Sequence, residues 1–208
     1  MKQDKEFWNK MSKGYDAQVK SKFYETYNKT IEVTKKYLKN TDIVLDYACG
    51  TGITTIELCE NVKDINAIDI SENMINIGKE KSEKRNIKNI QFNVMDIYDE
   101  GLQKGSFDVI MGFNILYFIR DIDNVIKRIN ELLKPNGIFI STTDCLGEKK
   151  SIITAIECLL SKMGIIPYIK MLKRNELKEL IKKYDFSIIE TQTLYNSPPN
   201  YFIVARKS

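Results

Sequence analysis

The sequence predicts an α/β protein with a mostly parallel sheet, and two observations carry this prediction. Short apolar runs that lead into an acid are typical of buried strands, and the chain has one before Asp46, at Ile43–Leu45, and one in Asp64–Ile70, where the predicted strand ends at Asp69. Stretches with helical spacing of apolar residues separate these runs, and such alternation is typical of βαβ units. At 208 residues, with 43% of them hydrophobic, the chain suits one folded domain.

Composition narrows the possible functions. Lys and Arg number 32 against 28 Asp and Glu, and a net charge of +4 does not by itself indicate nucleic-acid binding. The four cysteines form no C-x-x-C pair and the chain has no histidine, so we expect no metal site. The polar start lacks the apolar region of a signal peptide, so we expect a cytoplasmic protein with reduced thiols. Any proton transfer must use carboxylate, tyrosine, lysine or water.

The first 150 residues divide into a helical start and five strands. Residues 1–40 show apolar side chains in steps of three and four, which predicts helices, with Gly14 separating a short helix from a long one. A third strand is predicted at Asn89–Met95 and a fourth begins at Ser106. Asp121–Leu133 is an amphipathic helix, and we expect Lys134–Gly137 to stop it before a fifth strand at 137–142.

The part after the fifth strand is less regular. Ser151–Leu172 is strongly apolar but is interrupted by Gly164 and Pro167, so it is too broken to span a membrane. We expect two short amphipathic helices here that form a lid, with an ordinary sheet-covering helix as the alternative. A further helix at 175–183 and strands at 186–194 and 201–205 complete the chain.

The most informative stretch is the turn that follows the first strand. Gly50 and Gly52 lack a Cβ, so the backbone can turn sharply there and let a ligand lie directly on it. The string Val44-Leu45-Asp46-Tyr47-Ala48-Cys49-Gly50-Thr51-Gly52 resembles the glycine-rich first motif of class I S-adenosylmethionine-dependent methyltransferases, with Ala48 where glycine is usual. The dinucleotide fingerprint G-x-G-x-x-G needs a third glycine where this chain has Thr55, so the spacing favours the methyl donor over NAD.

Further motifs extend the resemblance over most of the chain. The Phe107-Asp108 start of the fourth strand and the Leu-Lys-Pro-x-Gly run at 133–137 are similar to hallmarks of the same family. The resemblance implies a Rossmann-like seven-stranded sheet of order 3-2-1-4-5-7-6, with strand 7 antiparallel and helices on both faces. It also implies S-adenosyl-L-methionine as the cofactor.

The resemblance assigns a set of donor-binding residues. From the first motif these are Asp46, Ala48, Gly50, Thr51 and Gly52. Asp69 lies about twenty residues past the glycine turn at a strand end, where a carboxylate can accept two hydrogen bonds from a ribose diol.

Four residues near the second and third strand ends, and one near the N-terminus, complete the donor set. By resemblance, Asp96 accepts a hydrogen bond from the adenine amino group and the Ile97 amide donates to the ring. Ile70 packs on the adenine face and Met74 lies near it, although a core role fits both equally. An aromatic residue near the position of Tyr15 often faces the donor in this class.

Three residues are candidates for aligning or deprotonating the acceptor. The family usually shows Asn-x-Leu-His after the fourth strand; this chain keeps Asn114, which also borders the donor, but has Tyr117 in place of histidine. Histidine-assisted deprotonation is therefore out of reach. Asp144 ends the fifth strand, at the edge where open α/β sheets bind ligands.

One further motif is interpreted as structural. Ser197-Pro198-Pro199-Asn200-Tyr201 is similar to the Asp/Asn-Pro-Pro-Tyr/Phe signature of amino-group methylation in nucleic-acid bases. That signature follows the fourth strand, whereas here the prolines precede the last one. We therefore expect a tight connection before a hairpin edge.

The sequence as a whole predicts a single methyltransferase domain over 1–208. Its parts are a helical cap at 1–40, a donor-binding core at 41–145, the lid at 146–173 and a C-terminal helix and strand hairpin at 174–208. The predicted reaction is methyl transfer to a small, partly apolar acceptor, with no nucleic-acid partner and no membrane span. The alternatives are an RNA or protein methyltransferase, a non-catalytic S-adenosylmethionine-binding protein, and a nucleotide-binding oxidoreductase, which Thr55 and the two late strands disfavour.

Overall fold

A seven-stranded sheet of order β3-β2-β1-β4-β5-β7-β6 organises the protein. The computed structural model describes residues 2–149 and 151–208. The strands are Ile43–Tyr47 (β1), Asp64–Asp69 (β2), Ile90–Val94 (β3), Phe107–Phe113 (β4), Leu133–Asp144 (β5), Phe186–Asn196 (β6) and Pro199–Lys207 (β7). β7 runs antiparallel to β5 and β6, and the other pairs are parallel. The predicted strand order and the antiparallel last strand are confirmed.

Helices cover both faces of this sheet. They are Lys2–Lys22 (α1), Tyr24–Lys35 (α2), Ile53–Leu58 (α3), Glu72–Lys84 (α4), Ile122–Leu132 (α5), Ile152–Lys162 (α6) and Arg174–Lys182 (α7). Apolar side chains of α5 and α7 pack with one face of the central strands. Those of α2, α3 and α4 pack with the other face. The carboxyl ends of the parallel strands therefore open at one edge between the two layers.

The N-terminal helix does not break at Gly14, so that prediction is wrong. α1 runs through Gly14 to Lys22, and the break lies at Phe23, whose backbone leaves the helical region with φ −127° and ψ 9°. Glycine lowers helix propensity but does not end a helix by itself when the flanking turns are packed. One long helix therefore lies across α4, with α2 following it.

The fifth strand begins earlier than predicted. β5 starts at Leu133, which pairs with Phe107, and its register shifts before Ile138 pairs with Val109. The stop signal at Lys134–Gly137 is thus an irregularity within a strand, with Asn136 at φ 63°. Because the α5 helix ends at Leu132, directly before the strand, the chain needs no separate loop here.

Between β5 and α7, the described residues contain one α-helix, α6, in place of the two predicted, and a short 3₁₀ helix at Leu146–Glu148. α6 ends at Lys162, and Gly164 then takes φ +72°. Pro167 has no N–H to donate to a second helix. The segment beyond it, residues 167–173, has no regular secondary structure, and the amide of Lys170 donates to the carbonyl of Tyr117 at 2.7 Å. Nowhere in residues 2–149 and 151–208 is a helix long and apolar enough to cross a bilayer.

The β6–β7 hairpin confirms the predicted tight connection. Asn196 pairs with Pro199, so Ser197 and Pro198 alone form the turn between the strands. β7 then inserts between β5 and β6, with Asp144 opposite Asn200 in the antiparallel register. The last strand consequently delivers its first residues to the carboxyl edge of β5.

The Phe92 ring sets a steric limit on two glycines and yields the first prediction. A Cβ on Gly78 in α4 would lie 2.6 Å from this buried ring, and one on Gly52 would lie 2.7 Å from it. The ring cannot move away from both sites. We expect Gly78→Ala to lower the free energy of unfolding by about 1–3 kcal/mol, because overpacking outweighs the gain in helix propensity.

Gly14→Ala is the matched control for this substitution. It changes glycine to alanine in another helix interior, but its Cβ would meet no atom within 4 Å. We expect it to raise stability by up to about 1 kcal/mol. Urea denaturation of both variants measures the contrast, and a stabilised Gly78→Ala protein would show that α4 does not pack as described.

Candidate active site

The turn after β1 is built from left-handed backbone. Ala48, Gly50 and Gly52 have φ of 58°, 55° and 73°, a region that glycine enters without steric cost. At Ala48 the same conformation costs roughly 1–2 kcal/mol, which is the physical reason that glycine is usual there. A Cβ on Gly50 would meet no atom within 4 Å, so the outer side of the turn is open. This open backbone surface suits a ligand that lies against it.

Asp69 ties this turn to the end of β2. Its carboxylate accepts the amide of Gly50 at 3.0 Å and the amide of Ser71 at 2.7 Å, one on each oxygen. Burial raises the pKa of Asp69, and these amide hydrogen bonds act in the opposite direction. Each oxygen keeps a second lone pair for a further donor. The carboxylate is therefore held in one orientation and retains capacity for a diol.

Asp46 lies beneath the turn and is fully buried. Its carboxylate accepts the hydroxyl of Thr55 at 2.6 Å, and burial raises the pKa of Asp46 to about 7. Thr55 occupies the position of the third glycine in dinucleotide sites, and here its hydroxyl satisfies the buried acid. The pair fixes the start of α3 against β1.

Helix α1 closes over the same edge through polar contacts. Asp16 accepts the hydroxyl of Thr51 at 2.5 Å and pairs with Lys81 at 2.8 Å. Asn9 accepts the hydroxyl of Ser71 at 2.7 Å. Sequence reasoning missed Asn9 and Asp16 because polar residues on a surface helix carry no signal until their partners are known.

The other predicted donor residues lie around this edge. Met74 and Ile97 are buried, with 2% and 0% of each residue exposed. Ile70 is half-buried at the end of β2. Asp96 accepts the amide of Tyr98 at 2.9 Å. The hydroxyl of Tyr15 shares a hydrogen bond with Tyr27 at 2.9 Å, on the β4–β5 side of the turn.

A second polar cluster occupies the carboxyl ends of β4 and β5. The side-chain amide of Asn200 donates to Asn114 Oδ1 and to Asp144 Oδ1, both at 2.8 Å. Thr142 donates its hydroxyl to Asn114 Oδ1 at 3.3 Å. The structure thus brings together two of the three predicted acceptor residues and adds Asn200, which sequence reasoning treated as part of a turn. In the sequence, Asn200 was marked only by the Pro-Pro-Asn-Tyr string.

Phenols surround the Asn114–Asp144 cluster. Burial raises the pKa of Tyr117 well above its usual value, and the nearby Asp144 carboxylate raises it further. Burial also raises the pKa of Tyr15 and of Tyr27. These phenols stay neutral at physiological pH and can donate hydrogen bonds. Tyr117 is therefore poorly suited to remove a proton.

Comparison with known sequences decides the family. The family described as Methyltransferase domain matches residues 38–187, which include the glycine turn, Asp69, Asn114 and Asp144. The chain belongs to this family. It is a class I S-adenosylmethionine-dependent methyltransferase.

Curated relatives and solved structures resemble this methyltransferase over most of its length. An uncharacterised protein of Methanocaldococcus jannaschii is 28% identical over 199 residues, covering 89% of this chain and 72% of that protein. A ubiquinone biosynthesis O-methyltransferase of Pelagibacter ubique is 34% identical over 165 residues, covering 76% of this chain and 66% of that enzyme. The methyltransferase in a complex with the Haloferax volcanii Trm112 methyltransferase activator has the same fold, with a TM-score of 0.78, 14% identity and 96% coverage of both chains.

Proposed function

We propose that this methyltransferase methylates a hydroxyl oxygen of a small, partly apolar molecule. The observation that carries the proposal is the Asn114–Asn200–Asp144 cluster, which holds a half-buried carboxylate at the carboxyl ends of β4 and β5. The Pelagibacter ubique relative, 34% identical, is named an O-methyltransferase, which supports oxygen as the methylated atom.

The residues of the turn fit S-adenosylmethionine. The open side of Gly50 accommodates a ligand against the backbone, and Asp69 has lone pairs available for both ribose hydroxyls. By the family resemblance, we assign recognition of the adenine to Asp96 and the Ile97 amide, and packing on its ring to Ile70. When bound, this cofactor supplies an activated methyl group on sulfur, a chemistry that needs little beyond alignment of the acceptor.

Asp144 is the group that we assign to the acceptor hydroxyl. An ionised carboxylate accepts a hydrogen bond from the hydroxyl, orients its lone pair and takes its proton as the methyl is transferred. The neutral phenols of Tyr117 and Tyr27 donate hydrogen bonds that orient the acceptor. Holding the reacting atoms in line and excluding water can contribute about 7–11 kcal/mol.

The orientation of helix α6 is evidence for an apolar acceptor and for a lid that covers it. Its apolar stripe faces solvent, with Ile152, Ile153 and Leu159 exposed by 81%, 69% and 58%, while Ser161 on the opposite side is buried. Glu157 on the half-buried side acts electrostatically on Asp144. A helix in this orientation gains stability if it turns its stripe onto an apolar ligand. We infer that residues 146–173 close over the acceptor.

The proposed reaction is tested by transfer of labelled methyl groups. The protein is incubated with methyl-labelled S-adenosylmethionine and a metabolite extract, and the labelled product is identified. We expect a small molecule bearing a new methoxy group. Asp144→Asn keeps the shape of the side chain but cannot accept the proton, and should reduce turnover by about 10²–10⁴-fold with donor affinity unchanged. Label in RNA or protein, or on a nitrogen, would refute the proposal.

Donor binding gives a separate prediction at Asp69. Asp69→Ala should weaken binding of S-adenosylhomocysteine by about 1.5–3 kcal/mol, because the ribose loses a charged acceptor and the Gly50 and Ser71 amides lose theirs. Isothermal titration calorimetry measures this change. Asp64→Ala, at the opposite end of β2, is the control and should leave affinity intact. Full affinity in the Asp69 variant would remove its assigned role.

The lid has its own measurement. We expect amides of 148–172 to exchange rapidly with solvent in the free protein, and to become protected when S-adenosylhomocysteine and the identified acceptor are both present. The reference is the central strand β4, which should be protected throughout. If 148–172 is as protected as β4 in the free protein, the segment is an ordinary covering helix.

A further inference from the structure

Asn200 lies near the start of β7, between β5 and β6. It is 3% exposed, and the antiparallel register sets it directly opposite Asp144. Its Nδ2 has two hydrogens, and each has an acceptor at 2.8 Å: Asn114 Oδ1 on one side and Asp144 Oδ1 on the other. One amide from the last strand therefore joins the ends of β4 and β5.

The orientation of this amide is fixed by its partners. The Asp144 carboxylate can only accept when ionised, and Asn114 Oδ1 is also the acceptor for the Thr142 hydroxyl. The nitrogen of Asn200 must therefore face both. Its Oδ1 is left buried with no hydrogen-bond partner in the described part of the chain. Such an orphan oxygen lowers stability, so local stability alone does not explain an asparagine here.

We propose that Asn200 is a positioning residue for methyl transfer, holding Asp144 ionised and aligned with Asn114. This inference rests on the role proposed above for Asp144. Asn200 acts through these two side chains and need not touch the acceptor itself.

The Asn200 amide opposes the effect that the surroundings of Asp144 have on the pKa of its carboxyl. Burial and the Glu157 carboxylate on α6 both raise the pKa of Asp144, whereas the Asn200 hydrogen bond lowers it. Tyr117, Tyr27 and Cys145 also interact with Asp144, and burial raises the pKa of each, that of Cys145 to about 12. None of these groups is a cation. The amide hydrogen is thus the contact here that favours the ionised acid.

Removal of the Asn200 amide should change the ionisation of Asp144 in one direction. Without the amide, the pKa of Asp144 rises, so a smaller fraction of the carboxylate is ionised at a given pH. If Asp144 takes the acceptor proton, the acid limb of the turnover profile moves to higher pH by the same amount.

The test is a titration of the Asp144 carboxyl by ¹³C NMR in the whole protein, with the resonance assigned by its loss in Asp144→Asn. Asn200→Leu should raise the pKa of Asp144 by about one unit or more. Asn200→Asp places a second carboxyl beside it, and the pair should titrate in two separated steps. Asn196→Ala, at the exposed end of the same hairpin, is the control and should leave the titration unchanged.

A measurement on the unmodified protein covers the case in which a variant does not fold. The side-chain amide resonances of Asn200 should follow the titration of Asp144 through the same midpoint. An unmoved Asn200 resonance, or a folded Asn200→Leu protein with an unchanged pKa of Asp144, would overturn the proposal.

Turnover distinguishes this proposal from the function on which it rests. With the acceptor identified above, Asn200→Leu should shift the acid limb of the kcat–pH profile to higher pH. Loss of a merely structural contact would instead lower kcat or thermal stability without that shift. Failure of O-methylation appears in the product identification and leaves the carboxyl titration unaffected. Failure of the Asn200 role appears as an unshifted titration in a protein that still methylates its acceptor.

Discussion

The Asp69 carboxylate is the contact on which the donor side of the molecule depends. It accepts the amides of Gly50 and Ser71, and so joins the glycine turn after β1 to the chain that leaves β2. The backbone carbonyl of Asp69 also accepts the amide of Met95, which follows β3. Three consecutive strand ends are thereby held at one level. A buried acid at this point is stable only because amides solvate it, so the geometry of the turn and the charge of the acid require each other.

Sequence patterns predicted the fold well because central strands such as β1 and β4 are buried on both faces. Such strands are continuous apolar runs with sharp ends, and the acid that ends β2, Asp69, marks the ligand edge. The errors fell where the signal was a single glycine or proline. Gly14 lies inside α1 because contacts with α4 continue past it, and an irregular segment follows Pro167 in place of a second helix. Such residues weaken a helix locally, but tertiary contacts decide where it ends.

The residues that we assign to the donor lie closer together in sequence than those of the Asn114–Asn200–Asp144 cluster, for a topological reason. The glycine turn and Asp69 lie close in sequence and follow strands that pair directly. Asn200 lies 86 residues from Asn114 and reaches it only through the antiparallel insertion of β7. No local pattern encodes such a pairing. The contacts of Asn9 and Asp16 in α1 could not be predicted for the same reason. The sequence of a polar helix face is the same whether that face contacts solvent or another part of the protein.

The insertion of β7 also bears on how the molecule comes together in time. Chains emerge from the ribosome from their N-terminal end, and β1, β2 and β3 can pair while later segments are still being made. β5 remains an edge strand until the hairpin made of β6 and β7 docks, because its second neighbour is β7. Asp144 then lacks its partner on the last strand until that step is complete. A partly synthesised chain can thus form its glycine turn before Asp144 has its partner, and the cluster that we assign to the acceptor is completed only when the last hairpin docks.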